Sequence, residues 1–184
     1  IHFSSRFGNY RTLAPTADVE ATRELISLLV NELVKRGANF VIPVDAEPKR
    51  NVDGQPVCFD WLVWKTVKDN LIHRPQNVPG PFIVAVQHHK TEEQIPDEYL
   101  DLWDELRASQ LIKIESAAYW NMNSKRMEAQ ASFGDVLIMP GGAEGVLYLA
   151  NLYRDAGEAI VALKLPHGAE TRGARRLYTF CLPS

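Results

Sequence analysis

Short continuous apolar runs alternate with longer helical patterns along this chain. That alternation predicts an α/β fold: a parallel sheet with helices on both faces. The runs Phe40–Val44, Phe82–Val86 and Asp135–Met139 carry the prediction most directly. They are too short for helices and almost wholly apolar, as strands buried on both faces must be. The segments between them place apolar residues at helical spacing.

In chain order, Ile1–Ser4 reads as a first strand. Val19–Arg36 reads as a helix, because Val19, Leu25, Ile26, Leu28, Leu29, Val30, Leu33 and Val34 form one broad apolar face. Asp18 is its expected N-cap and Gly37 its expected stop. Phe40–Val44 ends in Asp45, and Pro43 argues for an edge strand or a late position in a strand. Residues 46–56 combine Pro48, Asn51, Asp53, Gly54 and Pro56 into a polar loop. Val57–Ile72 is a second helical pattern, and the prolines of Arg74–Pro81 then break the chain. After the Phe82–Val86 strand comes an acidic helix over Pro96–Gln110 and a short strand over Leu111–Ile114. The last third reads as a helix over Asn123–Phe133, a strand to Met139, and a glycine-rich turn Pro140-Gly141-Gly142-Ala143-Glu144-Gly145. A helix over Val146–Ala156 and a strand over Ala159–Leu165 follow.

Composition narrows the function. The chain has 184 residues, 46% apolar and 23% charged, with 20 basic against 23 acidic side chains and a net charge of -3. This fits one globular domain over residues 1–184, and the start inside a strand suggests a domain cut from a longer protein. No broad basic surface is implied, so no nucleic-acid partner is expected. No apolar run approaches the ~20 residues of a membrane helix. Cys58 and Cys181 lie far apart without a CxxC pair, which argues against a disulfide scaffold or a zinc site and suits reduced, structural thiols in a cytoplasmic protein. No metal or cofactor is expected. His88-His89 are adjacent on a strand, point to opposite sides and make a poor metal pair. Trp61, Trp64 and Trp103 are packing candidates, whereas Trp120 and Tyr119 could also stack on a base. The acidic residues Asp97, Glu98, Asp101, Asp104 and Glu105 read as a solvated face, and no Ser-His-Asp arrangement follows from spacing.

The candidate site is the glycine-rich turn. In a parallel sheet, ligands bind beyond the carboxyl ends of the strands, near a reversal of strand order. Glycines let a ligand approach the backbone, and the following helix offers free N–H groups to an anion. The turn lacks the GK[ST] ending of a P-loop and the GxGxxG spacing. Read with its flanks, however, it gives a helix with Lys125-Arg126-Met127, a strand ending in Met139-Pro140, then Gly141-Gly142 and a helix. That order resembles the SLOG superfamily, which includes the LOG-type phosphoribohydrolases with a PGGxGTxxE turn. Arg126 stands where the family's arginine is found, and Pro140, Gly141, Gly142 and Gly145 match the loop. Glu144 is an extra residue, Val146 replaces the threonine, and Leu149 and Ala150 occupy the region of the missing glutamate.

Without that glutamate the chain is more similar to the STALD branch, the SLOG domains joined to Sir2 or TIR enzymes in Thoeris-type bacterial antiphage systems. The resemblance implies a Rossmann-like sensor rather than an enzyme. Such a sensor binds a cyclic ADP-ribose isomer and switches on an attached effector; related domains also assemble as homo-oligomers. A pyrophosphate would meet the backbone of Gly142, Ala143, Glu144 and Gly145. Arg126, Lys164 and Arg6 are the cation candidates, each against the alternative of a solvated surface residue. Glu144 and Asp45 suit ribose hydroxyls, or else are loop residues, and Ser4 and Ser5 could donate to phosphate or ribose. The alternative function is a LOG-like hydrolase that cleaves nucleoside monophosphates.

Overall fold

The computed structural model describes residues 1–3, 16–44, 54, 56, 58–88, 91–117, 122–140 and 144–163. Among the described residues, six parallel strands form one sheet: β1 (His2–Phe3), β2 (Phe40–Pro43), β3 (Ile83–His88), β4 (Ile112–Ala117), β5 (Val136–Met139) and β6 (Ala159–Ala162). Their spatial order is β4-β3-β2-β1-β5-β6. The intervening helices are α1 (Thr16–Lys35), α2 (Asp60–Asp69), α3 (Leu100–Ala108), α4 (Met122–Phe133) and α5 (Glu144–Asp155). The predicted α/β class is therefore the observed one, with a Rossmann-like parallel sheet.

Alternation along each strand divides the core between two faces. Phe40, Ile42 and Val44 of the β2 segment, with Ile83 and Ala85 of β3, pack against α1, α2 and α3. Val41, Val84 and Val86 point the other way, toward Ala129 of α4. Leu137 and Met139 of β5 point the same way and pack on Val146, Leu149, Ala150 and Tyr153 of α5. In α1 the buried positions Val19, Ile26, Val30 and Val34 recur every four or seven residues, which makes the single stripe expected of a helix on a sheet.

Gly37 ends α1 with a φ of 78°. Its N–H bonds to Val34 O at 3.0 Å, and the N–H of Ala38 bonds to Leu33 O at 2.9 Å. This Schellman closure needs a left-handed residue, and it turns the chain directly into β2. Gly157 closes α5 ahead of β6 with the same pair of bonds.

Several local expectations are corrected. The first helix begins at Thr16, so Asp18 lies inside it rather than capping it. β2 is an interior strand between β1 and β3, so only the late-strand reading of Pro43 holds. Pro43 has no N–H to give, but its carbonyl accepts from Trp64 Nε1 at 3.1 Å. The second helix shrinks to α2, and a separate 3-10 turn follows over Leu71–His73. The acidic helix is a 3-10 turn over Asp97–Tyr99 leading into α3. The fourth strand is longer than expected, running to Ala117. The final strand stops at Ala162.

Trp61, Trp64 and Trp103 are buried, as packing residues should be. Cys58 is also buried, and its thiol donates to Asp60 Oδ2 at 3.1 Å. Among the described residues, no helix is long and apolar enough to cross a membrane, and no cluster of His, Cys, Asp or Glu could hold a metal ion. Cys181, Tyr119, Trp120 and His89 lie outside the described residues.

Candidate functional site

The strand order sets where a ligand can enter. From β1 the chain moves stepwise through β2 and β3 to β4 at one edge. It then returns through α4 to β5, on the opposite side of β1. The order of the strands thus reverses between β1 and β5. Helices leaving the two strands lie on opposite faces, and in parallel sheets of this kind ligands bind beyond the carboxyl ends at such a reversal. His2 pairs with Leu137 and Phe3 with Ile138, so the two strands rise side by side to that edge.

Most of the expected ligand contacts follow strands of this sheet in the sequence. Ser4, Ser5 and Arg6 follow β1, Asp45 follows the β2 segment, Gly141, Gly142 and Ala143 follow β5, and Lys164 follows β6. All of these residues lie outside the described residues. The strands that lead to them are consecutive in the sheet: β2, β1, β5 and β6. At about 4.8 Å per strand they span roughly 14 Å.

Three expected residues are in described elements. Glu144 is the first residue of α5, and Gly145 lies within the first turn. The turn is thus shorter than the sequence suggested, and the helix starts two residues before Val146. Gly145 brings α5 close to α4: a Cβ there would stand 3.3 Å from Met127 Cε. Arg126 on α4 is 6% exposed. That removes the alternative of a surface arginine, because the guanidinium lies between α4 and the sheet.

Arg126 belongs to a buried polar group that sequence reasoning missed. His2 of β1, Gln130 of α4 and Tyr153 of α5 are buried on the same face. Tyr153 Oη lies 3.3 Å from His2 Nδ1 and donates to Gln130 O at 3.4 Å. Burial, aided by nearby positive charge that includes Arg126, lowers the His2 pKa from 6.5 to about 3, so the ring is neutral. Burial also raises the Tyr153 pKa, reinforced by the charges of Asp135 and Glu158, so the hydroxyl keeps its proton. Gly134 makes room for it, since a Cβ there would overlap the Tyr153 hydroxyl. The only sequence signal for this group was a polar residue at positions that pattern as core.

The arrangement combines a strand-order reversal, a glycine-rich connection, a helix N-terminus and a buried arginine on the adjoining helix. A family model described as "ATP nucleosidase Cap17-like, N-terminal" matches residues 1–184. The chain belongs to that family. No curated protein matches it significantly. Among solved structures, it is similar to the single-stranded-DNA-binding DNA processing protein A from Helicobacter pylori. The identity is 15% and the TM-score 0.59, over 98% of this chain and 72% of the other. A structural-genomics target named TM1055 shares 14% identity, with a TM-score of 0.48, over 86% of this chain and 70% of the other.

The family model supports a nucleotide-related domain, and the likeness to DNA processing protein A supports the Rossmann-like α/β fold. The likeness to DNA processing protein A also corrects one expectation. The absence of a nucleic-acid partner does not follow from a net charge of -3, because a protein of this fold binds single-stranded DNA. Net charge sums the whole surface, whereas a backbone-binding groove needs only local positive charge.

Proposed function

We propose that this Cap17-like N-terminal domain is a nucleotide sensor that regulates an attached effector and is not itself catalytic. The carrying observation is the reversal of strand order between β1 and β5, with the α5 N-terminus at that edge and Arg126 buried beneath α4. A pyrophosphate there would be held by backbone N–H groups at the start of α5 and approached by the Arg126 guanidinium. The ligand we favour is an NAD-derived cyclic nucleotide, a cyclic ADP-ribose isomer, as in the STALD branch of antiphage effectors. The family description makes an ATP nucleosidase the natural effector for it to control.

Calorimetric titration with cyclic ADP-ribose isomers, ADP-ribose, NAD, ATP and a single-stranded DNA oligomer tests this reading. Saturable heat with a nucleotide supports it. Heat with the DNA alone would move the site to nucleic-acid recognition, and silence with every nucleotide would end the proposal. Gly142→Asp is expected to abolish binding, because it puts bulk and negative charge beside the phosphate.

The second reading is catalytic, and the family description favours it: the domain would cleave an N-glycosidic bond. LOG-like turnover needs a carboxylate at the ribose, and Leu149 and Ala150 occupy the region where the LOG glutamate is expected. Incubation with ATP or AMP, followed by chromatography for free adenine, is expected to show none. Adenine release that disappears on Glu144→Gln would replace the sensor with an enzyme.

A further inference from the structure

The helix that carries the candidate arginine is the one with the least apolar anchoring. Among the described side chains of α4, the buried ones are Arg126 and Gln130, and both are polar. They stand four residues apart on one face of the helix, about 6 Å along its axis. Met127, Ala129 and Ala131 are only partly buried where they meet the sheet and α5. By contrast, α1 buries Val19, Ile26, Val30 and Val34, and α5 buries Val146, Leu149, Ala150 and Tyr153. Apolar burial thus fixes α1 and α5 firmly and holds α4 only weakly. The position of α4 has to come largely from polar contacts.

The Tyr153 hydroxyl supplies such a contact. It belongs to α5, donates to Gln130 O of α4 at 3.4 Å, and lies 3.3 Å from His2 Nδ1 of β1. A hydroxyl has one proton. With that proton given to Gln130 O, Oη accepts from His2, so the neutral ring carries its own proton on Nδ1. The two bonds then run in one direction, from β1 through α5 to α4. Tyr153 is fully buried, so no water competes for them. Gly134, just past α4, leaves the space that the hydroxyl fills. The elements joined in this way are those around the candidate site: β1 beside the strand reversal, α4 with Arg126, and α5 with its N-terminus. Tyr153 itself lies eight residues beyond Gly145, about 12 Å down the helix, too far to touch a phosphate at the first turn.

We propose that Tyr153 is a positioning residue for the nucleotide site: its hydroxyl fixes α4 against β1 and α5, and so aligns Arg126 with the phosphate. The inference rests on the nucleotide-binding reading above and adds how the arginine is placed. Loss of the hydroxyl lets α4 shift over the small residues beneath it. A guanidinium must be aligned to make two parallel bonds to phosphate, so a small displacement removes its advantage over a simple charge.

The test is a double-mutant cycle on the full chain, titrated with ADP-ribose. Tyr153→Phe is expected to weaken binding about tenfold. Arg126→Lys, which keeps the charge and loses the planar fork, is expected to weaken it by a similar factor. Adding Tyr153→Phe to Arg126→Lys is expected to cost less than about twofold more, because the alignment it protects is already gone. Trp64→Phe loosens the aromatic face and is expected to bind as wild type does. Wild-type affinity in Tyr153→Phe overturns the proposal. So does an equal loss from Tyr153→Phe in both backgrounds, or a matching loss in Trp64→Phe. Should Tyr153→Phe fail to fold, Gly134→Ala, which displaces the hydroxyl instead of removing it, takes its place in the cycle under the same criteria. Wild type that gives no heat with ADP-ribose overturns this inference, and silence with the other nucleotides as well overturns the reading on which it rests.

Discussion

The two faces of the sheet are built from different materials. Beneath α1, α2 and α3 the core is large and rich in rings: Phe40, Phe59, Trp61, Trp64, Phe82 and Trp103 interlock with the aliphatic stripe of α1. The rings meet edge to face, Phe40 on Phe82 at 5.7 Å and Trp64 on Trp103 at 5.6 Å. Beneath α4 and α5 the apolar clusters are smaller, and His2, Arg126, Gln130 and Tyr153 lie buried beside them. Buried polar groups weaken a core unless their bonds are made, while large aromatics contribute most of a core's stability. The first face therefore supplies stability. The second can carry polar chemistry under the candidate site because the first does not depend on it.

That division can be broken deliberately, and the largest effect belongs to the aromatic face. Trp64→Ala empties a fully buried site and strands the Pro43 carbonyl. It is expected to lower stability by about 3–5 kcal/mol, read from the midpoint of urea denaturation. A loss below ~1 kcal/mol, measured against the same scale, would remove the contrast between the faces.

The polar face answers to pH. The unfolded chain protonates His2 near pH 6.5, whereas the folded chain resists until about 3. The stability linked to His2 is therefore complete above pH 6.5 and declines as pH falls toward 3, by at most about 1.4 kcal/mol per unit. Denaturation of wild type and His2→Phe at several pH values should show wild type losing ground to the variant on acidification. Parallel profiles would mean that His2 titrates normally in the folded protein.

A smaller effect sharpens the geometry. Gly134→Ala drives a methyl into the Tyr153 hydroxyl and is expected to cost about 1–3 kcal/mol. Adding Tyr153→Phe should recover part of that loss but not all, since the new Cβ would still stand 2.9 Å from Cζ of the ring. Equal stability of the single and double variants would locate the strain elsewhere. The smallest effect is at the surface: Lys35→Ala removes an exposed i,i+3 pair with Glu32 and should leave the denaturation midpoint within measurement error.

Much of the architecture was legible because it depends on local pattern. The runs around Ile42, Val84 and Leu137 read as strands buried on both faces, and they are. Gly37 read as a stop and closes α1 with a left-handed residue. Other features were hidden. Pro43 read equally as edge or late strand, because proline forbids only its own N–H and says nothing of which strand lies alongside. Arg126 read as a surface arginine or a ligand contact, because α4 is polar along much of its length and periodicity did not mark its inner face. His2 and Tyr153 are separated by 151 positions, and no spacing rule spans such a distance. The composition argument against nucleic acid failed for a related reason, since a sum of charges carries no information about where they collect.

The sequence by itself determined the class of elements, the parallel sheet and the segment on which a ligand site should be sought. Hydrophobic periodicity and glycine chemistry act over a few residues and leave their mark in order along the chain. Tertiary structure alone decided that β1 lies between β2 and β5, that Arg126 turns inward beside His2, and that the Tyr153 hydroxyl meets His2 and Gln130. These depend on which surfaces meet after the helices pack. Burial and desolvation, which set the His2 charge and keep water from the Tyr153 hydroxyl, exist only once those surfaces are joined.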